Sequence, residues 1–298
     1  MTKFPQFLKK GDTVAIVCPA GKVSRDLSYA IHLFESWGLN VLKGKTLSAG
    51  FHQFAGNDKL RIEDFQTMLD NPTVKAIFAA RGGYGTVRII DRIDFSGFVK
   101  CPKWIIGFSD ITVLHSHIQA QFGIPTIHGQ MPQTVAGATK ASLESLRKAL
   151  FGKRLSYHYK SRYNTRSGFA KGVLVGGNLA TLISIAGSVS EVDYRGKILF
   201  IEDVGEYMYC IDRMLRMLKR AGKLRDLNGL ILGGFTDMKE NKIPFGYTPE
   251  EIIFDLVKDY DFPVATNFPA GHLDNNKTLI FGKNILLSVS GQSVSLAY

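Results

Sequence analysis

Three apolar runs in this chain end on side chains able to take part in acyl transfer. Trp104–Phe108 leads into Gly107-Phe108-Ser109-Asp110, followed by an apolar helical pattern towards Phe122. A serine on a sharp strand-to-helix turn presents its hydroxyl above the sheet. The N–H of the next residue, at the helix N-terminus, faces the same point. That arrangement suits a nucleophile with an oxyanion donor beside it. G-x-S-x-G is absent, because Asp110 and Ile111 follow, and an N-cap serine with purely structural work accounts for the same residues. Glu202-Asp203 closes the run Lys197–Ile201, and His272 follows Val264–Asn267 within Pro269-Ala270-Gly271-His272. A hydroxyl is a weak nucleophile until a base takes its proton, and the base needs a carboxylate to hold its tautomer. Ser109, His272 and Glu202 supply the three types. Their spacing does not say whether they meet, and with seven histidines in the chain a surface role is the default for any one.

Arg81-Gly82-Gly83-Tyr84-Gly85 follows the apolar run Val74–Ala80. Its glycines permit positive φ and close approach of a ligand to backbone N–H groups. It is neither a dinucleotide loop nor a P-loop, since G-x-G-x-x-G and Gly-Lys-Ser/Thr are both missing, and a plain glycine turn explains it as well. His115 and His117 lie two apart on a predicted helix and point to different faces, a poor arrangement for one metal. His128, in Ile127-His128-Gly129, ends a strand and either lines a pocket or packs in the core. Without H-E-x-x-H or a cysteine cluster, no metal is expected.

The elements that must position these residues alternate in type. Thr13–Cys18 reads as a strand, followed by a helix with Ser24 as N-cap, Leu27, Ile31 and Phe34 on one face and Gly38 as its stop. Leu39–Leu42 is the next strand, and Asn57–Leu69 a helix ended by Asn71-Pro72. With Val74–Ala80 and Trp104–Phe108, this alternation favours a mainly parallel sheet with helices on both faces. Residues 152–171 are basic and polar and read as a linker between a domain at 1–151 and another at 172–298. In the second, Lys171–Val175, Lys197–Ile201 and Gly229–Leu232 are strands, Leu179–Ala186 and Tyr207–Lys219 helices. Thr278–Phe281, Ile285–Val289 and Ser293–Leu296 suggest further β-structure.

Composition narrows the class. The chain has 298 residues, 45% hydrophobic and 21% charged, which excludes a largely disordered protein. No apolar window approaches the roughly 18 to 20 residues of a membrane helix, and residues 1–10 lack a signal-peptide pattern. Cys18, Cys101 and Cys210 are too few and too scattered for a disulfide framework, so the cytoplasm is the expected compartment. Lys and Arg number 37 against 26 Asp and Glu, a formal net charge of +11. The densest basic stretch, 153–166, interleaves aromatics as an RNA-binding segment would, but the charge is otherwise spread along the chain, and a solvated connection is the favoured reading. Attraction of carboxylate-bearing ligands fits the excess too.

Together these segments resemble the L,D-carboxypeptidase family of serine peptidases, which includes the microcin-immunity hydrolases. The matching stretches are Ala80–Gly85, Ile106–Asp110 and His128-Gly129, then Gly176-Gly177-Asn178-Leu179, Leu199–Asp203 with Ile211-Asp212-Arg213, and Gly271-His272. They occur in the family's order from about residue 12 to 282. Gln130 departs from the pattern, standing where many members carry proline. The resemblance implies an α/β fold: a Rossmann-like, mainly parallel N-terminal domain, then a smaller α/β C-terminal domain, with the active site in the cleft between them. It implies a catalytic triad of Ser109, Glu202 and His272, oxyanion donors at Asp110 and Gly82, and substrate contacts at Arg81, Gly83 and Tyr84. The implied reaction removes the terminal D-alanine from cytoplasmic murein tetrapeptides. A homodimer without cofactor, metal, nucleic acid or membrane partner is the family's expectation. The alternative within the family is cleavage of an amide between a peptide or amino acid and a nucleotide.

Overall fold

The computed structural model describes residues 4–298. In the first half, β1 (Thr13–Val17), β2 (Asn40–Lys43), β3 (Val74–Ala79), β4 (Trp104–Gly107) and β5 (Thr126–His128) pair in parallel in the order β2-β1-β3-β4-β5. Strand order reverses between β1 and β3, and such a switch leaves a crevice at the strands' carboxyl ends. β4 is apolar throughout and β3 apolar but for Lys75, as burial on both faces requires. One face packs Phe34, Phe78 and Ile106 beneath α1 (Ser28–Ser36) and α5 (Lys140–Leu150). The other packs Phe65, Ile77, Ile105 and Leu114 beneath α2 (Asp58–Asp70), α3 (Ser96–Lys100) and α4 (Thr112–Phe122).

Helix ends follow side-chain chemistry. Asn57, expected as the first helical residue, caps α2 by accepting the Leu60 N–H at 2.9 Å. The first helix differs from expectation. Ser24 is not its cap; its backbone N–H and hydroxyl both turn to Gln133 Oε1, and α1 begins at Ser28, whose N–H and O–H Asp26 accepts. A distant glutamine and a nearer aspartate outcompete the local capping pattern.

The second half builds β6 (Ser156–Lys160), β7 (Gly168–Asn178), α6 (Leu179–Ser184), β8 (Lys197–Val204), α7 (Met208–Arg220), β9 (Gly229–Thr236), α8 (Pro249–Val257), β10 (Val264–Ala265), β11 (Leu279–Phe281), β12 (Asn284–Ser290) and β13 (Ser293–Ala297). The second sheet runs β10-β9-β8-β7-β12-β13-β6. Its first four strands are parallel and the remaining pairings antiparallel. Among the described residues no helix is long and apolar enough to cross a membrane.

Residues 152–171, expected to be a linker, hold β6 and the first four residues of β7. Tyr157 and Tyr159 alternate with exposed Ser156, His158 and Lys160. Their rings meet Phe268 edge-on at centroid distances of 5.5 and 5.7 Å, and their hydroxyls donate to Thr278 O and Thr266 O. These two aromatics of the basic stretch are thus held against the sheet, while Tyr163 stays exposed. The division between halves is also crossed the other way: β11, late in the chain, pairs antiparallel with β5 and closes the edge of the first sheet.

Candidate active site

Ser109 follows β4 directly and opens a short 3-10 turn, Ser109–Ile111, that runs into α4. Its φ is +65°, a left-handed conformation that is costly for a serine and that recurs at strained functional turns. The tightness of the turn requires Gly107, because a Cβ there would stand 2.8 Å from Ile111 Cγ1. Gly82 packs against the serine, where a Cβ would approach Ser109 Cβ to 2.8 Å and Ser109 Oγ to 3.0 Å. Among the described residues, neither the Gly82 nor the Asp110 N–H donates a hydrogen bond within the chain. Two backbone donors are therefore available beside the hydroxyl.

The loop carrying Gly82 is fixed from both sides. The Asp110 carboxylate accepts the Thr86 N–H at 2.8 Å, and burial raises its pKa against the pull of that bond. Arg61, wholly buried, donates to Gly85 O and Pro19 O and pairs with Asp58. Arg81 donates to Lys22 O at 2.9 Å, which ties the loop to the segment after β1. This contact stabilises the loop, whereas the resemblance implies a substrate contact for Arg81.

Glu202 lies near the end of β8, opposite Asn178 on β7, and is fully buried. Gly271, at φ +113°, leaves the room it occupies, since a Cβ there would fall 2.7 Å from Glu202 Oε2. His272 donates from Nδ1 to that same Oε2 at 2.7 Å. With Nδ1 donating, the other ring nitrogen, Nε2, keeps its lone pair free in the neutral imidazole. Burial lowers the imidazole pKa, but the Glu202 hydrogen bond and charge, with Asp203 and Asp237 beyond, outweigh it and hold the pKa above its ordinary value. The His272 ring meets Phe108, the residue before Ser109, edge-on at 5.0 Å between centroids. The imidazole and serine turn are thus neighbours, although the hydroxyl makes no hydrogen bond to His272; such contacts often tighten only when substrate is bound.

A cavity of about 340 Å³ opens at the serine, lined by Gly83, Tyr84 and Ser109 from the first half and by Asn178, Asp203 and Glu206 from the second, among others. A larger hollow, about 500 Å³, lies beside Val74 and Lys103, at the strands' amino ends and away from this chemistry. Asp203 plays a part that its place beside Glu202 did not reveal. It accepts from Asn178 Nδ2 and from the Ala180 N–H at 2.9 Å each, anchoring the start of α6. Burial, with a contribution from Glu202, raises its pKa to about 6 despite those bonds. The Gly176-Gly177-Asn178 segment was the available signal. Gly177 leaves no space for a Cβ against Thr112, and the Asn178 N–H donates to Thr112 Oγ1 at 3.0 Å, which docks the second half on the first turn of α4. Gln130 is buried and joins the halves by a Nε2 bond to Asp274 O. His115 is spent on Thr126 and Gly107 O, and His117 on Ser190. No group of three metal-ligating side chains occurs among the described residues.

Models of two protein families match the chain: the LD-carboxypeptidase N-terminal domain over residues 14–129 and the LD-carboxypeptidase C-terminal domain over 171–287. The chain belongs to the LD-carboxypeptidase family. A relative from Bacillus subtilis (strain 168), a probable murein peptide carboxypeptidase, is 39% identical over 90% of this chain and 86% of its own. The crystal structure of muramoyltetrapeptide carboxypeptidase from Oxalobacter formigenes superimposes with a TM-score of 0.86 at 30% identity, covering 96% of this chain and 98% of that one. MccF, in complex with glutamyl sulfamoyl guanosine, superimposes at 0.88 with 23% identity over 98% and 97% of the two chains, a likeness of fold. Membership in the LD-carboxypeptidase family thus rests on both halves of the molecule, the same halves that meet at the serine.

Proposed function

We propose that this LD-carboxypeptidase is a serine enzyme that removes the terminal D-alanine from murein tetrapeptides, with Ser109, His272 and Glu202 as its triad. The observation that carries the reading is the His272–Glu202 bond of 2.7 Å beside a strained serine turn. His272 Nε2 takes the Ser109 proton as Oγ bonds to the carbonyl carbon that precedes D-alanine. The N–H groups of Gly82 and Asp110 receive the developing oxyanion, each donor contributing roughly 3 kcal/mol to lowering the barrier. The carbon–nitrogen bond then breaks and His272 passes its proton to the departing amine. Water, deprotonated by the same imidazole, cleaves the acyl-enzyme. Glu202 holds the tautomer and stabilises the imidazolium. Gly83 and Tyr84, on the cavity wall, contact the peptide, and the net positive charge draws in a substrate bearing several carboxylates. Cytoplasmic recycling of cell-wall fragments by a homodimer completes the proposal.

Mass spectrometry of a defined muramoyl-tetrapeptide incubated with the protein tests this directly. Loss of one alanine, abolished by Ser109→Ala, is the expected result. An intact tetrapeptide alongside hydrolysis of an aminoacyl sulfamoyl nucleotide would move the assignment to the microcin-immunity branch.

A further inference from the structure

Behind the His272–Glu202 pair, several buried polar atoms lack partners. His128 is fully buried, and neither of its ring nitrogens is hydrogen-bonded. Asn276 is likewise buried with Nδ2 unpaired, and Glu202 keeps Oε1, its second oxygen, without a donor. An isolated buried polar group costs about 1–3 kcal/mol, so an aromatic core would not retain three by chance.

Their placement relates them. Phe200 and Glu202 alternate with Ile201 on β8 and so share one face of the strand. The His128 ring meets the Phe200 ring edge-on at 5.2 Å, and Phe108 at 5.7 Å, the same Phe108 that touches His272. Asn276 Oδ1 accepts the N–H of Gly271, the glycine that packs on Glu202. Burial keeps His128 neutral, its pKa held well below the ordinary value, and the charges of His115 and His272 push it the same way. A neutral imidazole has one N–H to give and one nitrogen to accept, and the Asn276 amide has N–H groups to give. The unpaired carboxylate oxygen of Glu202 only accepts. Donors and acceptor match.

We infer that His128 is a positioning residue: with Asn276 it directs N–H groups, through one enclosed water, to Glu202 Oε1, and so sets the rotation of the carboxylate that holds His272. Two to four polar partners are what a buried water needs, and the three side chains provide them. Layers of this kind fix the orientation of groups that act on substrate. The inference rests on the triad reading above, with Glu202 as the imidazole's partner.

The test uses the full chain with His128→Phe and His128→Leu, two apolar replacements of different volume, and His128→Gln, which keeps an N–H donor. Turnover of muramoyl-tetrapeptide is measured together with the low-field proton resonance of His272 Nδ1–H, which needs no substrate. The apolar variants are expected to lower kcat about tenfold or more with KM unchanged and to shift or broaden that resonance. The glutamine variant restores both. An unshifted resonance and wild-type kcat in whichever apolar variant folds would overturn the inference. So would a loss shared equally by all three variants that follows thermal stability with the resonance intact. If wild type leaves the tetrapeptide whole while the resonance still answers to His128, the positioning role stands and the proposed substrate falls.

Discussion

The two ends of the proposed triad are held by different physics. On the first sheet, Ser109 is presented by backbone geometry: a positive φ, a glycine before the turn and another against the hydroxyl. On the second, Glu202 and His272 are presented by side-chain burial and one short hydrogen bond, with glycine entering only to make room. Backbone strain fixes a short side chain such as serine, which has little else to grip. A carboxylate and an imidazole have longer arms and more bonding groups, so packing can set them. Substitutions should therefore fail differently at the two ends.

The largest effect is expected from Ser109→Ala, which should lower kcat by roughly 10⁴-fold or more while the thermal midpoint stays near wild type. Retained turnover would remove the serine end from the comparison. Glu202→Gln comes next, at about 10²- to 10⁴-fold in kcat, because an amide facing Nδ1 no longer requires the productive tautomer. Gly82→Ala should cost about 10²-fold, read as kcat with little change in KM, since the added methyl meets the serine where the oxyanion forms.

The pH profile sharpens the second end. His272 acts as a base only when neutral, and its pKa is held up. kcat/KM should therefore fall on the acid side through an apparent pKa above the ordinary imidazole value of about 6.5. Glu202→Gln should move that limb to lower pH. The smallest effect concerns the first end alone. Ser109→Gly, inactive, should raise folding stability by about 1 kcal/mol in denaturant titration, because glycine adopts φ +65° without strain. An unchanged or lower midpoint would deny the backbone account.

Much of the site was legible because parallel strands are long apolar runs, and the polar residue that ends such a run stands at the sheet's carboxyl edge. Ser109, Glu202 and the Arg81–Gly85 loop were found that way, and Gly176-Gly177-Asn178 through family resemblance. The meeting of His272 with Glu202 came from the family resemblance and not from spacing, since 70 positions separate them and the order β10-β9-β8 within the second sheet brings them to 2.7 Å. Residues 152–171 misled for another reason. The alternation of Tyr157 and Tyr159 with polar neighbours is a strand's period of two, but a surrounding excess of Lys and Arg made it look like a solvated connection. Ser24 looked like a cap because capping is a local pattern, whereas Gln133, more than a hundred positions later, claims it. Asp203 stood beside Glu202 in plain sight, yet its bonds to Asn178 and Ala180 depend on how β7 and β8 lie side by side.

The pairing of β11 with β5 bears on how the molecule moves. His272 sits on the stretch of chain that leaves the second sheet after β10 and reaches the first at β11. Asp274 and Asn276, on that same stretch, are gripped by Gln130, Thr139 and Ser142 of the first half. The imidazole therefore rides on a strap sewn to both halves, and wide separation of the two would tear its stitches. Tyr84 and Glu206, on the wall of the cavity at the serine, stand outside that seam.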